Sequence, residues 1–408
     1  MTGNEIISEI KSFKEKIIED RRYLHAHAET GFELKETVAY VRKQLEEMGY
    51  EVKQCGKAGL VVLAGGKKPG KVFLIRGDMD ALPITEETDL DFKSENGCMH
   101  ACGHDMHTAM LLGAARYLKN HEEDINGTIK LMFQPAEEIF QGSDDMIKSG
   151  VLENPKVDAA LMIHVAAASP MEAGSVIVCS GGVSAAAADT FTIRVKGKGC
   201  HGSTPSEGID PVTAASHIVI ALQEIHGREL CIDDKAALTI GSVQGGKAAN
   251  AIPDEVVMKG TIRTFDEDVR KMIKERLVEI TEGTARVFRA EAEVVFDSGC
   301  PTLFNDYSLA DDTFKYSVEL LGKEKAFSMG MFAQTGSNKK SGSAGAGSED
   351  FAYVSQQVPS IMLALAAGKP DEGYLYPQHN PKVKFDESAL AAGTAVYVYD
   401  AMRWLEEH

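Results

Sequence analysis

The ten residues 99–108 are denser than any other stretch of the chain in side chains that bind metal ions or move protons. The side chains of this kind are His100, Cys102, His104, Asp105 and His107. Cys102 and His104 are two positions apart, so an extended backbone points both side chains the same way. A thiolate and an imidazole together suit a borderline divalent ion such as Zn²⁺. A Cys-x-His pair also fits a polar loop before a helix, so further ligands must decide between the two interpretations.

Further candidate ligands follow three apolar runs that are typical of buried strands. Residues 71–76 lead into Asp80, residues 128–134 lead into Glu137 and Glu138, and residues 157–163 lead into His164. The adjacent carboxylates of Glu137 and Glu138 repel each other unless a cation or a proton offsets their charge. Open α/β sheets place their functional sites at the carboxyl ends of strands, so we expect these side chains to lie together.

With a histidine near the C-terminal end, the candidate metal ligands become Cys102, His104, Glu138, His164 and His379. Five ligands are one more than a closed structural zinc site takes, and they suit two ions with an open position for water. Two such ions lower the pKa of a shared water and polarise a carbonyl oxygen. Glu137 is then the candidate carboxylate for proton transfer, and Asp80 could orient a ligand.

The elements that must position these residues alternate between strand and helix. Residues 4–48 are helical in pattern, and residues 105–120 and 142–150 form helices between the apolar strands. This alternation is the signature of βαβ units. It predicts an α/β fold in which helices flank a mixed, mostly parallel sheet.

A second pattern interrupts the first. Residues 190–196 alternate between apolar and polar side chains, which indicates a half-exposed strand. The order β-α-β-β-α-β follows over about 110 residues and is that of a ferredoxin-like unit. We therefore predict a ferredoxin-like α+β domain at 184–299, inserted into a catalytic domain formed by 1–183 and 300–408. Its edge strands could pair across a two-fold axis in a dimer.

Residues 336–347 are rich in glycine, serine and lysine and predict a flexible loop.

Composition narrows the possible partners. The chain has 408 residues and a formal net charge of −18, which argues against binding to nucleic acid or an anionic membrane. No apolar run approaches the roughly 18 residues of a membrane span. The amphipathic N-terminal segment is not a signal peptide, and the seven scattered cysteines are typical of reduced thiols. We expect a cytoplasmic protein.

Eight motifs, which follow one another along nearly the whole chain, resemble those of the M20 family of metallo-aminoacylases and carboxypeptidases. They are RYLHAHAE (22–29), RGDMDALP (76–83), MHACGHDMHT (99–108), FQPAEE (133–138), HGSTP (201–205), GTIR (260–263), GSEDF (347–351) and HNP (379–381). The subfamily that the chain resembles most is that of N-acyl-amino-acid and hippurate amidohydrolases, which includes plant auxin-conjugate hydrolases.

The resemblance implies a dinuclear metal site with the same five ligands, Glu137 as general base and acid, and Asp80 beside the metals. It also implies that the inserted domain is a lid and dimerisation module, from which His201 and Asn250 face the site of the same subunit or of the other one. His201 could stabilise a tetrahedral oxyanion. Arg263 could hold a substrate carboxylate, although a surface ion pair explains an arginine equally well.

The resemblance implies metal-dependent hydrolysis of the amide bond of N-acyl amino acids by a homodimer or homotetramer. A dipeptidase or carboxypeptidase on the same scaffold is the main alternative, and a non-catalytic metal-binding protein is another. The ligand types suit Zn²⁺ or Mn²⁺, with Ni²⁺ and Co²⁺ also possible.

Overall fold

The computed structural model describes residues 2–329 and 347–408. Most of the loop predicted at 336–347 therefore lies outside the described residues. The chain divides into two compact units. Of the described residues, the first comprises 2–184, 304–329 and 350–408, and the second comprises 185–303 and 347–349.

The helices and strands follow one another along the chain as the alternating sequence pattern predicts. The α-helices are α1 (Gly3–Ser12), α2 (Lys14–Ala26), α3 (Lys35–Glu47), α4 (His104–Asn120), α5 (Gly142–Lys148), α6 (Pro211–Ala221), α7 (Glu267–Val287), α8 (Tyr307–Leu321), α9 (Ala352–Ser355) and α10 (Leu390–Glu407). The strands up to residue 201 are β1 (Lys53–Cys55), β2 (Gly59–Gly65), β3 (Val72–Asp78), β4 (Thr128–Gln134), β5 (Ala159–Ala166), β6 (Val176–Val178), β7 (Gly182–Ala185), β8 (Ala187–Lys196) and β9 (Cys200–His201). The later strands are β10 (Ala236–Gly245), β11 (Ala251–Ile252), β12 (Glu255–Thr264), β13 (Glu291–Cys300), β14 (Leu303–Asn305), β15 (Ala326–Ser328) and β16 (Ser360–Ala366).

The first unit is built on a mixed sheet with the strand order β1-β2-β4-β3-β5-β16-β6-β15. The central strands β4, β3, β5 and β16 are parallel to one another, and antiparallel pairs occur between β1 and β2, β2 and β4, and β16 and β6. β3 is buried along its whole length, which explains its apolar run without alternation. The predicted α/β class with a mostly parallel sheet flanked by helices is confirmed.

Helix α4 lies in the core of the first unit and packs against α2, α10 and β3. It is buried on nearly every face, as expected for a helix between a sheet and an outer helix layer. The first turn of α4, which follows Cys102, is therefore held by packing on several sides. No helix within residues 2–329 and 347–408 has the length and apolarity that crossing a bilayer requires.

The second unit contains β8, α6, β10, β12, α7 and β13 in the β-α-β-β-α-β order read from the sequence. Its sheet has the strand order β10-β12-β8-β13, and every neighbouring pair is antiparallel. Helices α6 and α7 pack against each other and against this sheet. Apolar side chains of the sheet and both helices, among them Phe191, Ile218 and Leu277, form a core of their own.

Candidate metal centre

The five candidate ligands lie together in the first unit, at the carboxyl ends of its central strands. The Sγ atom of Cys102 is 3.5 Å from Nε2 of His164 and 3.4 Å from Nε2 of His379. The Oε1 atom of Glu138 is 3.7 Å from Nε2 of His379 and 3.9 Å from Nε2 of His104. Four of the five side chains are largely buried, whereas His379 is exposed, so the cluster opens to solvent on that side.

The backbone between Cys102 and His104 turns at Gly103, which has a φ of +93° and caps the N-terminus of α4. A Cβ atom at this position would lie 2.4 Å from Cγ2 of Val165. Glycine is therefore required both for the left-handed conformation and for the close approach of β5. Ala136, beside the cluster, and His379, one of its members, also have a positive φ, at 56° and 66°. Strained conformations of this kind often occur at functional sites, although Arg289 of the second unit also has a positive φ.

Asp80 holds the loop that carries the paired glutamates. Its carboxylate accepts hydrogen bonds from the backbone N–H groups of Glu137 at 2.9 Å and Glu138 at 3.2 Å. Its backbone carbonyl accepts one from Nδ1 of His104 at 2.8 Å. Nδ1 of His104 is therefore the donor, so in the neutral ring the Nε2 lone pair faces the cluster. Asp80 thus orients a ligand and fixes the backbone of Glu137.

Glu137 lies at the edge of the cluster with only 5% of its surface exposed. Its Oε2 atom is 3.9 Å from Nε2 of His104, the same distance that separates His104 from Glu138. The two adjacent carboxylates therefore flank one imidazole. Burial raises the pKa of Glu138 to about 7, and the negative charges of Asp80 and Asp78 add to the rise.

The donor atoms fit bound divalent cations. Nε2 of His104 and Oε1 of Glu138 are buried and make no hydrogen bond within the described part of the chain. Burial raises the pKa of the Cys102 thiol to about 12 and lowers that of His164 to about 4. Buried polar atoms without partners are costly, and a cation bound between them would remove that cost. A thiolate, imidazoles and a carboxylate form a donor set typical of zinc and related transition metals.

Sequence reasoning missed Asp78, which is buried behind the cluster. Its Oδ1 atom is 2.6 Å from Nδ1 of His107, and its Oδ2 atom is 2.8 Å from Nη1 of Arg76 and 3.4 Å from Nε2 of His104. Burial opposes its ionisation, but the positive charge of Arg76 holds its pKa well below the usual range. Asp78 is two positions from Asp80, a spacing that could have placed both on one side of the strand end.

Arg76 is the centre of a buried hydrogen-bond network that extends away from the cluster. Its guanidinium donates hydrogen bonds to Gln134 at 2.8 Å and Asp350 at 3.1 Å as well as to Asp78. Asp350 also accepts a hydrogen bond from the backbone N–H of Ser143 at 3.0 Å. The network joins the ends of β3 and β4 to the start of α5, so it stiffens the edge of the sheet where the ligands converge.

The remaining polar residues of the 99–108 stretch support the start of α4. Asp105 accepts hydrogen bonds from Nε of Arg21 at 2.8 Å and from the ring of His25 at 2.9 Å. The ring of His25 also contacts Glu86 at 3.1 Å. His100 is buried, and neither of its ring nitrogens has a partner within residues 2–329 and 347–408. These contacts tie α4 to α2 and lie outside the ligand cluster.

The other predicted site residues belong to the second unit. His201 is exposed on β9 and pairs with Ala251 of β11, and the carbonyl of Asn250 accepts the N–H of Gly202 at 2.8 Å. The structure therefore brings His201 and Asn250 together within that unit. Arg263 lies on β12 and donates a hydrogen bond to the carbonyl of Ile262 at 3.0 Å. Their contacts with substrate stay predictions.

Comparisons with known proteins identify the family of the chain. Residues 74–402 match the profile of peptidase family M20/M25/M40. The chain is 34% identical over 421 residues to an N-acetyl-L-cysteine deacetylase of Bacillus subtilis (strain 168), which covers 100% of this chain and 94% of that protein. It is 38% identical over 308 residues to an N-acyl-L-amino acid amidohydrolase of Geobacillus stearothermophilus, which covers 75% of this chain and 82% of the relative.

A crystal structure from Bacillus subtilis, described as a dinuclear metal-binding peptidase of the M20 family, superimposes with a TM-score of 0.76 at 32% identity. The superposition covers 97% of this chain and 99% of that one. The family predicted from the motifs is confirmed, and the chain belongs to peptidase family M20/M25/M40.

Proposed function

We propose that the protein hydrolyses the amide bond of N-acyl amino acids at a centre that holds two divalent metal ions. The observation that carries the proposal is the cluster itself. It combines buried donor atoms that have no hydrogen-bond partner in the described part of the chain with a second carboxylate, Glu137, beside them. A structural metal site needs the ligands alone, whereas a hydrolytic site also needs a group that moves protons. The names of the relatives support the acylated amino acid as the substrate class.

Cys102, His104, Glu138, His164 and His379 are the residues proposed to hold the metal ions. The ions, when bound, would lower the pKa of a water molecule and polarise the carbonyl of the scissile amide. The mixture of sulfur, nitrogen and oxygen donors favours Zn²⁺ or Mn²⁺, and Ni²⁺ or Co²⁺ also fit it. The open side at His379 leaves a path for substrate.

Glu137 is proposed as the general base and acid. The Oε2 atom of its carboxylate would accept a proton from the attacking water. The carboxyl group would then deliver that proton to the nitrogen of the departing amino acid. Its burial limits competing hydrogen bonds from bulk water, and the contact of its backbone N–H with Asp80 fixes its position. Asp80 would act on the reaction through Glu137 and His104, both of which it holds.

The second unit is proposed to supply substrate contacts. The backbone N–H of Ser203 donates to Nδ1 of His201 at 3.1 Å, so the ring proton of a neutral His201 is on Nε2. An exposed Nε2–H group is a suitable donor to an oxyanion. Asn250 lies beside it, and the guanidinium of Arg263 has the planar geometry that suits the carboxylate of an amino acid.

The test is a substrate screen with the metal varied. The protein is stripped with a chelator, loaded separately with Zn²⁺, Mn²⁺, Co²⁺ or Ni²⁺, and assayed with N-acetyl and N-benzoyl amino acids and with dipeptides. We expect hydrolysis of the acylated amino acids, its loss after chelation and its return with at least one metal. Faster hydrolysis of dipeptides would favour the peptidase alternative, and full activity after chelation would refute the metal centre.

We also propose a cytoplasmic location and a homodimer or homotetramer. All seven cysteines are free, as expected for a reducing compartment. Light scattering after size-exclusion chromatography would measure the mass of the assembly against the 44.1 kDa of one chain.

A further inference from the structure

Strands β3 and β5 separate before either reaches the metal centre. Their ladder of paired residues ends at Arg76 and Met162. Beyond that pair, β3 runs on beside β4 to Asp78, whereas β5 runs on beside β16 to Ala166. The last residues of β5, which include the proposed ligand His164, therefore keep a strand neighbour on the β16 side and lose one on the β3 side.

The ring of His107 occupies the gap between the two strands. His107 is fully buried in the first turn of α4. Its Nε2 atom accepts the backbone N–H of Val165 at 2.8 Å, and its Nδ1 atom is 2.6 Å from Oδ1 of Asp78. A backbone N–H can only donate, so Nε2 carries no proton and Nδ1–H is the donor to Asp78. Both ring nitrogens are therefore engaged by the protein, which leaves His107 none for a metal ion.

Val165 is the residue through which this contact reaches the ligand. The carbonyl of Val165 accepts hydrogen bonds from Nδ1 of His164 at 2.8 Å and from the side-chain amide of Gln378 at 2.7 Å. With Nδ1 so engaged, Nε2 of His164 points to Cys102. The orientation of the His164 ring thus depends on the position of the Val165 backbone, and His107 holds the N–H of that residue.

We propose that His107 is a positioning residue that replaces the missing β3 partner of Val165 and thereby fixes the ring of His164 for metal binding. The inference rests on the proposed metal centre. Groups that hold a metal ligand in place commonly contribute about 10- to 100-fold to metal affinity. His107 should contribute through its acceptor, Nε2, more than through its donor to Asp78.

Substituting His107 with each of two amide residues separates the role of Nε2 as acceptor from the role of Nδ1 as donor. In His107→Gln the longer side chain brings an amide oxygen to the position of Nε2, within reach of the Val165 N–H. In His107→Asn the shorter amide reaches only the position of Nδ1 and keeps the donor to Asp78. The metal dissociation constant of each variant is measured by competition with a chromophoric chelator, in the wild-type background and with His164→Ala.

We expect His107→Asn to weaken metal binding by about 10- to 100-fold and His107→Gln by no more than about threefold. In the His164→Ala background, His107→Asn should have little further effect, because the ligand that it positions is absent. Equal losses for the two amides, or an undiminished loss in the His164→Ala background, would overturn the inference.

Two further outcomes are also decisive. If His107→Asn does not fold, soluble His107→Gln settles the question: affinity near that of the wild type supports the inference, and a tenfold loss overturns it. A wild-type protein that binds no divalent metal would instead refute the proposed centre, so the failure of the proposed function is distinguishable from the failure of this inference.

Discussion

Strand β3 of the first unit is buried at every residue, whereas β10 of the second unit alternates along most of its length between half-buried and exposed residues. The first sheet gains this burial from helices such as α4 and α10, and the second keeps water-exposed side chains along its edge strand β10. Polar groups at the ends of the first sheet are therefore desolvated. Desolvation strengthens their interactions with charges and makes unpartnered atoms costly, which favours ion binding there.

Several buried carboxylates of the first unit, such as Asp78 and Asp105, are paired with arginines, but another contrasts with a buried carboxylate of the second unit. Asp189 of the second unit is neutralised by Arg270 at 2.7 Å and Lys274 at 2.8 Å. Asp400 in α10 of the first unit is just as buried, yet neither of its carboxylate oxygens has a hydrogen-bond partner in the described chain. Within the described residues, the first unit therefore has buried polar atoms without hydrogen-bond partners both at the metal centre and in its helix layer.

The largest expected effect is a loss of turnover when Glu137, at the end of the first sheet, is changed. Glu137→Gln keeps the shape of the side chain and removes the group that moves the proton, so turnover of an N-acyl amino acid should fall by about 10²- to 10⁴-fold. Metal content, measured by mass spectrometry, should not change. The matched variant Glu138→Gln should instead lose metal. Retained turnover in Glu137→Gln would refute its role as general base.

A second prediction compares the two sheets directly. Leu131 of β4 is fully buried, and Val243 of β10 is 56% exposed. Leu131→Ala should lower the free energy of unfolding by about 2–5 kcal/mol because it leaves a cavity. Val243→Ala should change it by less than about 0.5 kcal/mol. Urea denaturation measures both, and a cost at Val243 of several kcal/mol would indicate that this strand is covered in solution.

The same substitution should have opposite effects at two glycines. Gly103→Ala forces a side chain into a left-handed conformation and against Val165, so we expect a loss of about 2–4 kcal/mol in unfolding free energy. Gly283 lies inside α7, where a new Cβ atom meets only the far end of Arg286 at 3.9 Å. Gly283→Ala should therefore gain about 0.5–1 kcal/mol. Thermal unfolding measured with the metal removed separates these effects from metal binding.

The last prediction concerns Asp400, whose pKa burial raises well above its ordinary value. The folded state then keeps a proton that the unfolded chain releases above about pH 4, so this carboxyl lowers stability as the pH rises. Asp400→Asn should raise the free energy of unfolding by about 1–2 kcal/mol at pH 8 and by much less at pH 4. An equal gain at both pH values would show that Asp400 is not protonated in the folded protein.

Much of the site was predictable because its chemistry is local in sequence. Cys102 and His104 stand two positions apart, and Glu137 and Glu138 follow directly after a buried strand. Residue type and the place of each residue after a strand were sufficient to select these candidates. His164 and His379 are isolated histidines, and the apolar strand before the first and the family motif around the second identified them.

The contacts that support the candidate ligands from behind were not predictable in this way. Arg76 donates hydrogen bonds to Asp78 and to Asp350, and Asp350 lies 274 positions further along the chain. No pattern of spacing marks such a network, because each of its residues satisfies a partner from another element. His107 stood inside the densest stretch of the chain, and the five selected ligands left it a supporting role, but nothing in the sequence showed which groups it would contact.

The sequence by itself determined the family, the α/β class and the candidate ligands. The fold class and the candidate ligands follow from residue types and local periodicity, and the family follows from the resemblance of eight motifs, all of which the chain carries wherever its elements come to lie. Only the tertiary structure decided that β3 and β5 separate beyond Arg76 and that the ring of His107 lies between them. That decision depends on how α4 packs against the sheet, and packing is a property of many distant side chains acting together.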